Sequence, residues 1–192
     1  VTLQKKDWRL FFRQQLAALD IQHKKSFTAQ MMLHLSSALA EVKKERLRQE
    51  PLQIGAYAPL DFEVDCVSAF QDVSCLLSFP TYVESLQTMI YRQCAYQDLS
   101  VKQTFGVSLL EPKTSAPEVI PDILLIPGIG FDHRGIRLGR GKGYFDRYLA
   151  CYKGLKWGIG FSVQLVEQLP CEEHDIPMDM IITENGLLIV KH

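Results

Sequence analysis

Four consecutive aliphatic residues, Ile123-Leu124-Leu125-Ile126, stand between Pro121 and Pro127. A run this short, with no polar alternation, suits a strand buried on both faces. Such a strand needs a covering layer on each side, which points to an enclosed sheet. The neighbouring patterns agree. Trp8, Phe11, Phe12, Gln15, Leu16 and Leu19 recur at helical spacing, predicting an amphipathic helix within the first twenty residues. Ser26 is expected to cap a longer helix with the stripe Met31, Leu35, Leu39 and Val42, whose charged end, 43–50, stops at Pro51. Residues 53–58 and 75–79 read as strands, with a short helix over 65–72 between them. Residues 88–96 read as a strand with one polar face, or a helix. A helix near 144–152 precedes a strand over 157–161. The chain closes on 180–183 and 187–190 around Asn185-Gly186, a hairpin signal because both residues tolerate positive φ. Residues 111–121, with three prolines, form the most linker-like stretch. The expected fold is an α/β three-layer sandwich around a mainly parallel sheet, with N-terminal helices and an antiparallel C-terminal hairpin. A single domain is expected over 1–192, with the helical segment 1–50 packing on it.

Composition sets the background for any charged motif. Hydrophobic residues make up 47% and charged residues 22%, enough to bury an ordinary core. The net charge of -1 and a pI near 6.6 give no global reason to expect nucleic acid or an anionic membrane as partner. The five cysteines are scattered and odd in number, without a C-x-x-C pair, so reduced thiols in a cytoplasmic setting are expected. The first residues are charged rather than apolar, unlike a secretory signal.

Between Arg134 and Arg147 the balance changes locally: five cations and four glycines stand beside one acid, Asp146. Glycines alternate with cations along Gly139-Arg140-Gly141-Lys142-Gly143. Positions without side chains let backbone N–H groups approach a ligand, and the intervening cations supply charge. The stretch leaves a strand and enters a helix, whose first turn adds attraction for anions. Lys142 is followed by Gly143 rather than Ser or Thr, so this is no Walker A loop, and Tyr144 breaks a dinucleotide fingerprint. The local chemistry is that of an anion site fit for a nucleotide. The same residues also read as a solvated surface loop.

The ordered string Ile126-Pro-Gly-Ile-Gly-Phe-Asp132, Gly135, Arg137-Leu138-Gly139, Gly141 and Gly143-Tyr144-Phe145-Asp146-Arg147 resembles the signature of the 5-formyltetrahydrofolate cyclo-ligase family. The likeness continues at Lys5 and Arg9, Tyr57, Glu63-Val64-Asp65, Phe79-Pro80, Glu111-Pro112, Glu173-His174-Asp175 and Ile181-Ile182-Thr183-Glu184. It implies ATP-dependent conversion of 5-formyltetrahydrofolate to 5,10-methenyltetrahydrofolate with release of ADP and phosphate. Carried over residue by residue, it implies that Lys5, Arg9 and the stretch Arg137, Leu138, Gly139, Arg140, Gly141, Lys142, Gly143, Tyr144 and Phe145 bind ATP. Arg140 and Lys142 would stabilise charge on the transferring phosphoryl group. Glu63 would hydrogen-bond the pterin, Tyr144 would line the folate side, and Asp146 and Asp175 would hold Mg²⁺. Small-molecule partners and a monomer are expected. The sequence departs from the family in Phe145, where a second tyrosine is usual, and in Arg140, a position that varies.

Taken without the resemblance, several of these residues keep plainer readings. Lys5 and Arg9, at i and i+4, are also ordinary solvated helix charges. Asp146 also serves a helix dipole, Asp175 a turn, and Glu63 a cap. Cys171 and His174 are half a zinc site without a second half. A rival α/β enzyme acting on another phosphorylated or carboxylated metabolite would share the fold.

Overall fold

The computed structural model describes residues 3–45, 51–70, 75–104 and 107–191. Helix α1 spans Lys5–Ala18 and α2 spans Ile21–Glu45. Ser26 lies inside α2 rather than at its cap. Asp20 performs that task, its Oδ1 accepting from the His23 N–H at 2.8 Å. The stripe of α2 is as the spacing requires: Met31, Leu35, Ala38 and Leu39 are buried, with Val42 partly so. The last residues of the charged end, 46–50, lie outside the described residues.

The strands in chain order are β1 (Leu52–Gly55), β2 (Cys75–Val83), β3 (Thr88–Gln93), β4 (Ser100–Thr104), β5 (Val107–Glu111), β6 (Glu118–Val119) and β7 (Ile123–Pro127). They continue as β8 (Gly130–Asp132), β9 (Arg137–Leu138), β10 (Leu155–Ile159), β11 (Leu165–Val166), β12 (Met180–Thr183) and β13 (Gly186–Ile189). Among the described residues eight of them form one sheet in the order β13-β12-β10-β7-β1-β2-β3-β6. The block β12-β10-β7-β1-β2 is parallel, and both margins are antiparallel. Residues 88–93 are thus a strand, not a helix. The linker-like stretch supplies β6, the edge of the sheet, against Tyr91 and Arg92.

The expectation for 123–126 is met in detail. All four side chains are fully buried. Ile123 and Leu125 join the cluster formed with Leu35, Leu39, Ile54 and Trp157 beneath α2, while Leu124 and Ile126 join Phe131, Leu149 and Tyr152 on the opposite face. That second face is covered by helix α3 (Tyr144–Leu149), which packs on β3. The alternation is the pleat itself: successive Cβ atoms point to opposite sides.

Two local details differ from the sequence pattern. The C-terminal hairpin pairs Thr183 with Gly186, so its connecting residues are Glu184 and Asn185, and only Gly186 takes positive φ. Here the Thr183 Oγ1 accepts from the Asn185 N–H, and Glu184 accepts from the Ser162 N–H and hydroxyl, which moves the turn one residue back. The stretch after β7 is not one continuous loop either. It contains the β8–β9 hairpin before the glycine-cation segment begins.

Candidate active site

Parallel strands β1 and β7 are neighbours, but the chain leaves them in opposite directions, β1 toward β2 and β7 toward β10. In open α/β sheets a crevice opens beyond the carboxyl ends of the strands where the order diverges in this way. A cleft of about 580 Å³ lies there. Tyr57 to Asp61 and Glu63, following β1, line one side, and Pro127-Gly128, following β7, line another. Arg137 and residues 139–146 complete it, together with Tyr82 and residues 108–111.

The cation loop is fixed at its base. Asp132, fully buried, accepts five hydrogen bonds: from the N–H groups of Arg134, Ile136 and Leu169, and from Nε and Nη2 of Arg134. This carboxylate closes the β8–β9 turn and ties it to a distant segment. In the sequence it stands out only as the aspartate of the motif, within the resemblance. Beyond β9 the chain passes through Gly141 at φ +94° and Gly143 at φ +68°, left-handed positions that a side chain would strain.

Arg137 is buried with its guanidinium held by Asp146, Nη2 to Oδ1 at 2.5 Å, and lying over the Phe145 ring. Its Nε has no hydrogen-bond partner. Arg140 and Lys142, by contrast, are exposed, and neither forms an ion pair among the described residues. Arg140 lies over Phe62, 5.7 Å from the ring centroid. Arg9 stands behind the loop, donating from Nε to the Gly139 carbonyl at 2.9 Å. Tyr144 packs against Tyr82 and under Arg147. Burial, with the neighbouring Tyr82, raises the Tyr144 hydroxyl pKa.

Glu63 is partly buried, its Oε2 accepting from the Leu60 N–H at 3.0 Å. Desolvation raises its pKa above the ordinary carboxylate value, opposed by the Leu60 N–H and the charge of Arg140. Lys5 and Asp175 meet at 2.8 Å, Glu172 adding a second contact to Lys5 at 3.3 Å. Desolvation pulls the Lys5 pKa down, but Asp175 and Glu172 outweigh it and the net shift is upward. Neither Lys5 nor Asp175 lines the cleft, whereas Asp146 does.

Of the residues expected to act together, Glu63, Arg137, Gly139 to Phe145 and Asp146 share one cavity. Lys5, Arg9, Leu138 and Asp175 lie outside its lining, Leu138 buried in a hydrophobic cluster with Phe12 and Arg9 touching the loop directly. Glu111 is a cleft residue to which the sequence assigned no role. It lines the cleft, is 3% exposed, accepts from the Thr81 hydroxyl and pairs with Lys102 at 3.0 Å. Its neighbour Pro112 disguised it as the start of a linker. Arg13 also reaches the cleft, from a helix position that periodicity alone assigns to solvent.

As to a metal, no group of three or more His, Cys, Asp or Glu side chains is assembled among the described residues. That excludes a cage built from such side chains there. A Mg²⁺ ion would need only one or two carboxylates, with phosphate oxygens and water completing its shell. Asp146 offers one such carboxylate at the cleft wall. No helix among the described residues is long and apolar enough to cross a membrane.

Fold and cleft together define an α/β protein with a cation-lined cavity at a topological switch point. The chain belongs to the 5-formyltetrahydrofolate cyclo-ligase family, whose profile matches residues 13–184. It is 42% identical over 80 residues to the 5-formyltetrahydrofolate cyclo-ligase of Escherichia coli strain K12, covering 38% of this chain and 44% of that protein. With the mouse (Mus musculus) cyclo-ligase it shares 41% identity over 71 residues, 34% of this chain and 35% of that one. These alignments span less than half the length of either relative. Among solved structures, the 5,10-methenyltetrahydrofolate synthetase of Aquifex aeolicus superposes with a TM-score of 0.82 at 29% identity, covering 99% of this chain and 94% of that one. The Mycoplasma pneumoniae synthetase shares the fold, with a TM-score of 0.72 at 22% identity over 95% of this chain and 99% of that one.

Proposed function

We propose that this chain converts 5-formyltetrahydrofolate to 5,10-methenyltetrahydrofolate in an ATP- and Mg²⁺-dependent reaction that releases ADP and phosphate. The observation that carries the reading is the single cleft lined both by Glu63 and by Arg140 and Lys142, cations without an ion-pair partner among the described residues. A carboxylate there matches the adjacent N–H donors of a pterin, and a glycine-spaced pair of cations matches a polyphosphate.

The chemical difficulty is the formyl oxygen, which leaves poorly. Transfer of the γ-phosphoryl group of ATP to that oxygen turns it into a phosphate leaving group. The N10 lone pair then attacks the formyl carbon, the C–O bond breaks, phosphate departs with the oxygen, and N10 loses its proton. Phosphoryl transfer needs in-line positioning and charge neutralisation more than covalent participation. Arg140 and Lys142 would supply the second, and Arg137, already ordered against Asp146, would help fix the first. Bound Mg²⁺ would neutralise phosphate charge, with Asp146 and Asp175 as its carboxylates, Lys5 and Arg9 lying beside the triphosphate. Tyr144 would face the folate. A cytoplasmic monomer acting as one unit over 1–192 belongs to the same proposal.

The test mixes protein, ATP, Mg²⁺ and 5-formyltetrahydrofolate. Absorbance of the methenyl product should rise with one phosphate released per turnover. Label in the formyl oxygen should appear in that phosphate. Product formed without ATP would overturn the nucleotide role, and label retained in the folate would overturn the phosphorylated intermediate.

A further inference from the structure

Strands β4 and β5 form a hairpin that stands outside the eight-stranded sheet. A two-stranded hairpin is marginal on its own in water, so its angle to the body depends on what holds its root. Ser100 and Glu111 pair at that root, and Ser108 to Glu111 run along the cleft wall. The Glu111 carboxylate is buried there and accepts at Oε2 from two donors, the Thr81 hydroxyl and, at 3.0 Å, Nζ of Lys102. The two donors hold different things. Lys102 belongs to β4, so its bond closes the hairpin on itself. Thr81 is buried in β2, opposite Ile90 of β3, so its bond ties the hairpin to the main sheet. A carboxylate in that place costs desolvation that an apolar side chain would not, and what it supplies is a directional bond between two sheets.

We infer that Glu111 is a positioning residue: through Thr81 it sets the angle of β5, and with it the wall that Leu109 and Leu110 present to the folate. The inference rests on the function proposed above. The chemistry of that wall selects the substrate it serves. Leu109 and Leu110 share the cleft with Pro80, Tyr82 and Met89, an apolar and aromatic surface that suits flat rings and offers nothing to a triphosphate. The cations that suit phosphate lie on the separate loop 139–143. Loosening the root of the hairpin should therefore weaken folate binding and spare the nucleotide.

The experiment compares the unaltered chain with Thr81→Val, Glu111→Leu and Glu111→Gln. It measures affinities for 5-formyltetrahydrofolate and for ATP, turnover, and amide hydrogen exchange without ligand. Thr81→Val keeps the shape and removes the donor. It should speed exchange in β4 and β5 by about tenfold, the scale of one lost hydrogen bond to a charged group, and leave β7 unchanged. Folate affinity should fall by about tenfold and ATP affinity should hold. Glu111→Leu should behave alike; should it fail to fold, Thr81→Val decides alone. Glu111→Gln, whose side-chain carbonyl can still accept from Thr81, should restore most of the folate affinity. Unchanged exchange in Thr81→Val, faster exchange with undiminished folate affinity, or equal loss of both ligands would overturn the inference. Normal binding of both ligands by Glu111→Gln with lost turnover would also overturn it, and would give the carboxylate to the reacting atoms instead. Failure of the unaltered chain to bind 5-formyltetrahydrofolate would overturn the proposed function, whereas the exchange data would still decide whether Thr81 and Glu111 pin the hairpin.

Discussion

Arg137 and Asp146 meet at 2.5 Å across the wall of the cleft, and they are unequally buried: the arginine side chain is 6% exposed, the aspartate 35%. The pair is therefore asymmetric. Asp146→Ala strands a buried guanidinium without its anion and should cost about 2–4 kcal/mol in denaturant unfolding. Arg137→Met keeps the apolar stem and leaves an aspartate that water can reach, so its cost should be about half as large. Equal losses would show that the arginine finds another partner.

Lys142 is exposed and makes no ion pair among the described residues, so it contributes little to the fold. Lys142→Ala should shift stability by less than about 0.5 kcal/mol. Turnover should fall by about 10²–10³-fold, as for loss of one group that stabilises transition-state charge. An unaltered kcat would remove the electrostatic role.

If Glu63 holds the pterin, folate binding should depend on pH. Burial raises its pKa, so the protonated form is favoured in the folded chain more than in the unfolded one. That preference is fully present below the ordinary carboxylate range and is lost as pH rises through the elevated value. Affinity for the folate should run the other way, rising with pH as the carboxylate ionises and can accept two donors. Glu63→Gln should flatten both curves across the range from the ordinary carboxylate pKa to the elevated one. A binding profile in the variant identical to that of the unaltered chain would place the pterin elsewhere.

Asp175 spends both oxygens on Lys5 and accepts from the Glu172 N–H. If it also serves Mg²⁺, Asp175→Ala should raise the metal concentration needed for half-maximal ATP binding by about tenfold. An unchanged titration by calorimetry would restrict the aspartate to bracing α1.

The thiols should differ sharply. Cys66 is buried and burial pushes its pKa to about 12, whereas Cys151 and Cys171 are exposed. A disulfide reagent should label the last two within minutes and Cys66 only on unfolding. Rapid labelling of Cys66 in the folded chain would contradict its packing.

The sequence was most legible where a pattern is local. The buried run at 123–126 and the stripe of α2 depend on spacing alone, and the cation loop declares itself through glycines alternating with charge. Glu63, Asp146 and Asp175 became candidates only through resemblance, because one acid in a loop has no distinguishing spacing. Glu111 stayed hidden because its role arises where β5 crosses to Thr81 of β2, a contact between segments thirty residues apart. The β8–β9 hairpin was illegible for a related reason. Its partners are two and three residues long, and its turn, closed by the Gly135 N–H on the Asp132 carbonyl and braced by the Asp132 side chain, is centred on His133-Arg134 rather than on a turn-signalling dipeptide. The Asn-Gly signal was sound for a hairpin but one residue out, since the Thr183 side chain bonds the Asn185 N–H and the Glu184 carboxylate is held by Ser162.

The five hydrogen bonds converging on Asp132 have a practical corollary. They build the corner from which the loop departs out of protein contacts alone, just as helix α3 secures the loop's other end. Gly139 to Gly143 is thus a cassette clamped between two prefabricated joints. An engineer could exchange Arg140 and Lys142 for other anion grips and expect the scaffold to survive, provided Asp132 and the left-handed Gly141 and Gly143 are left untouched.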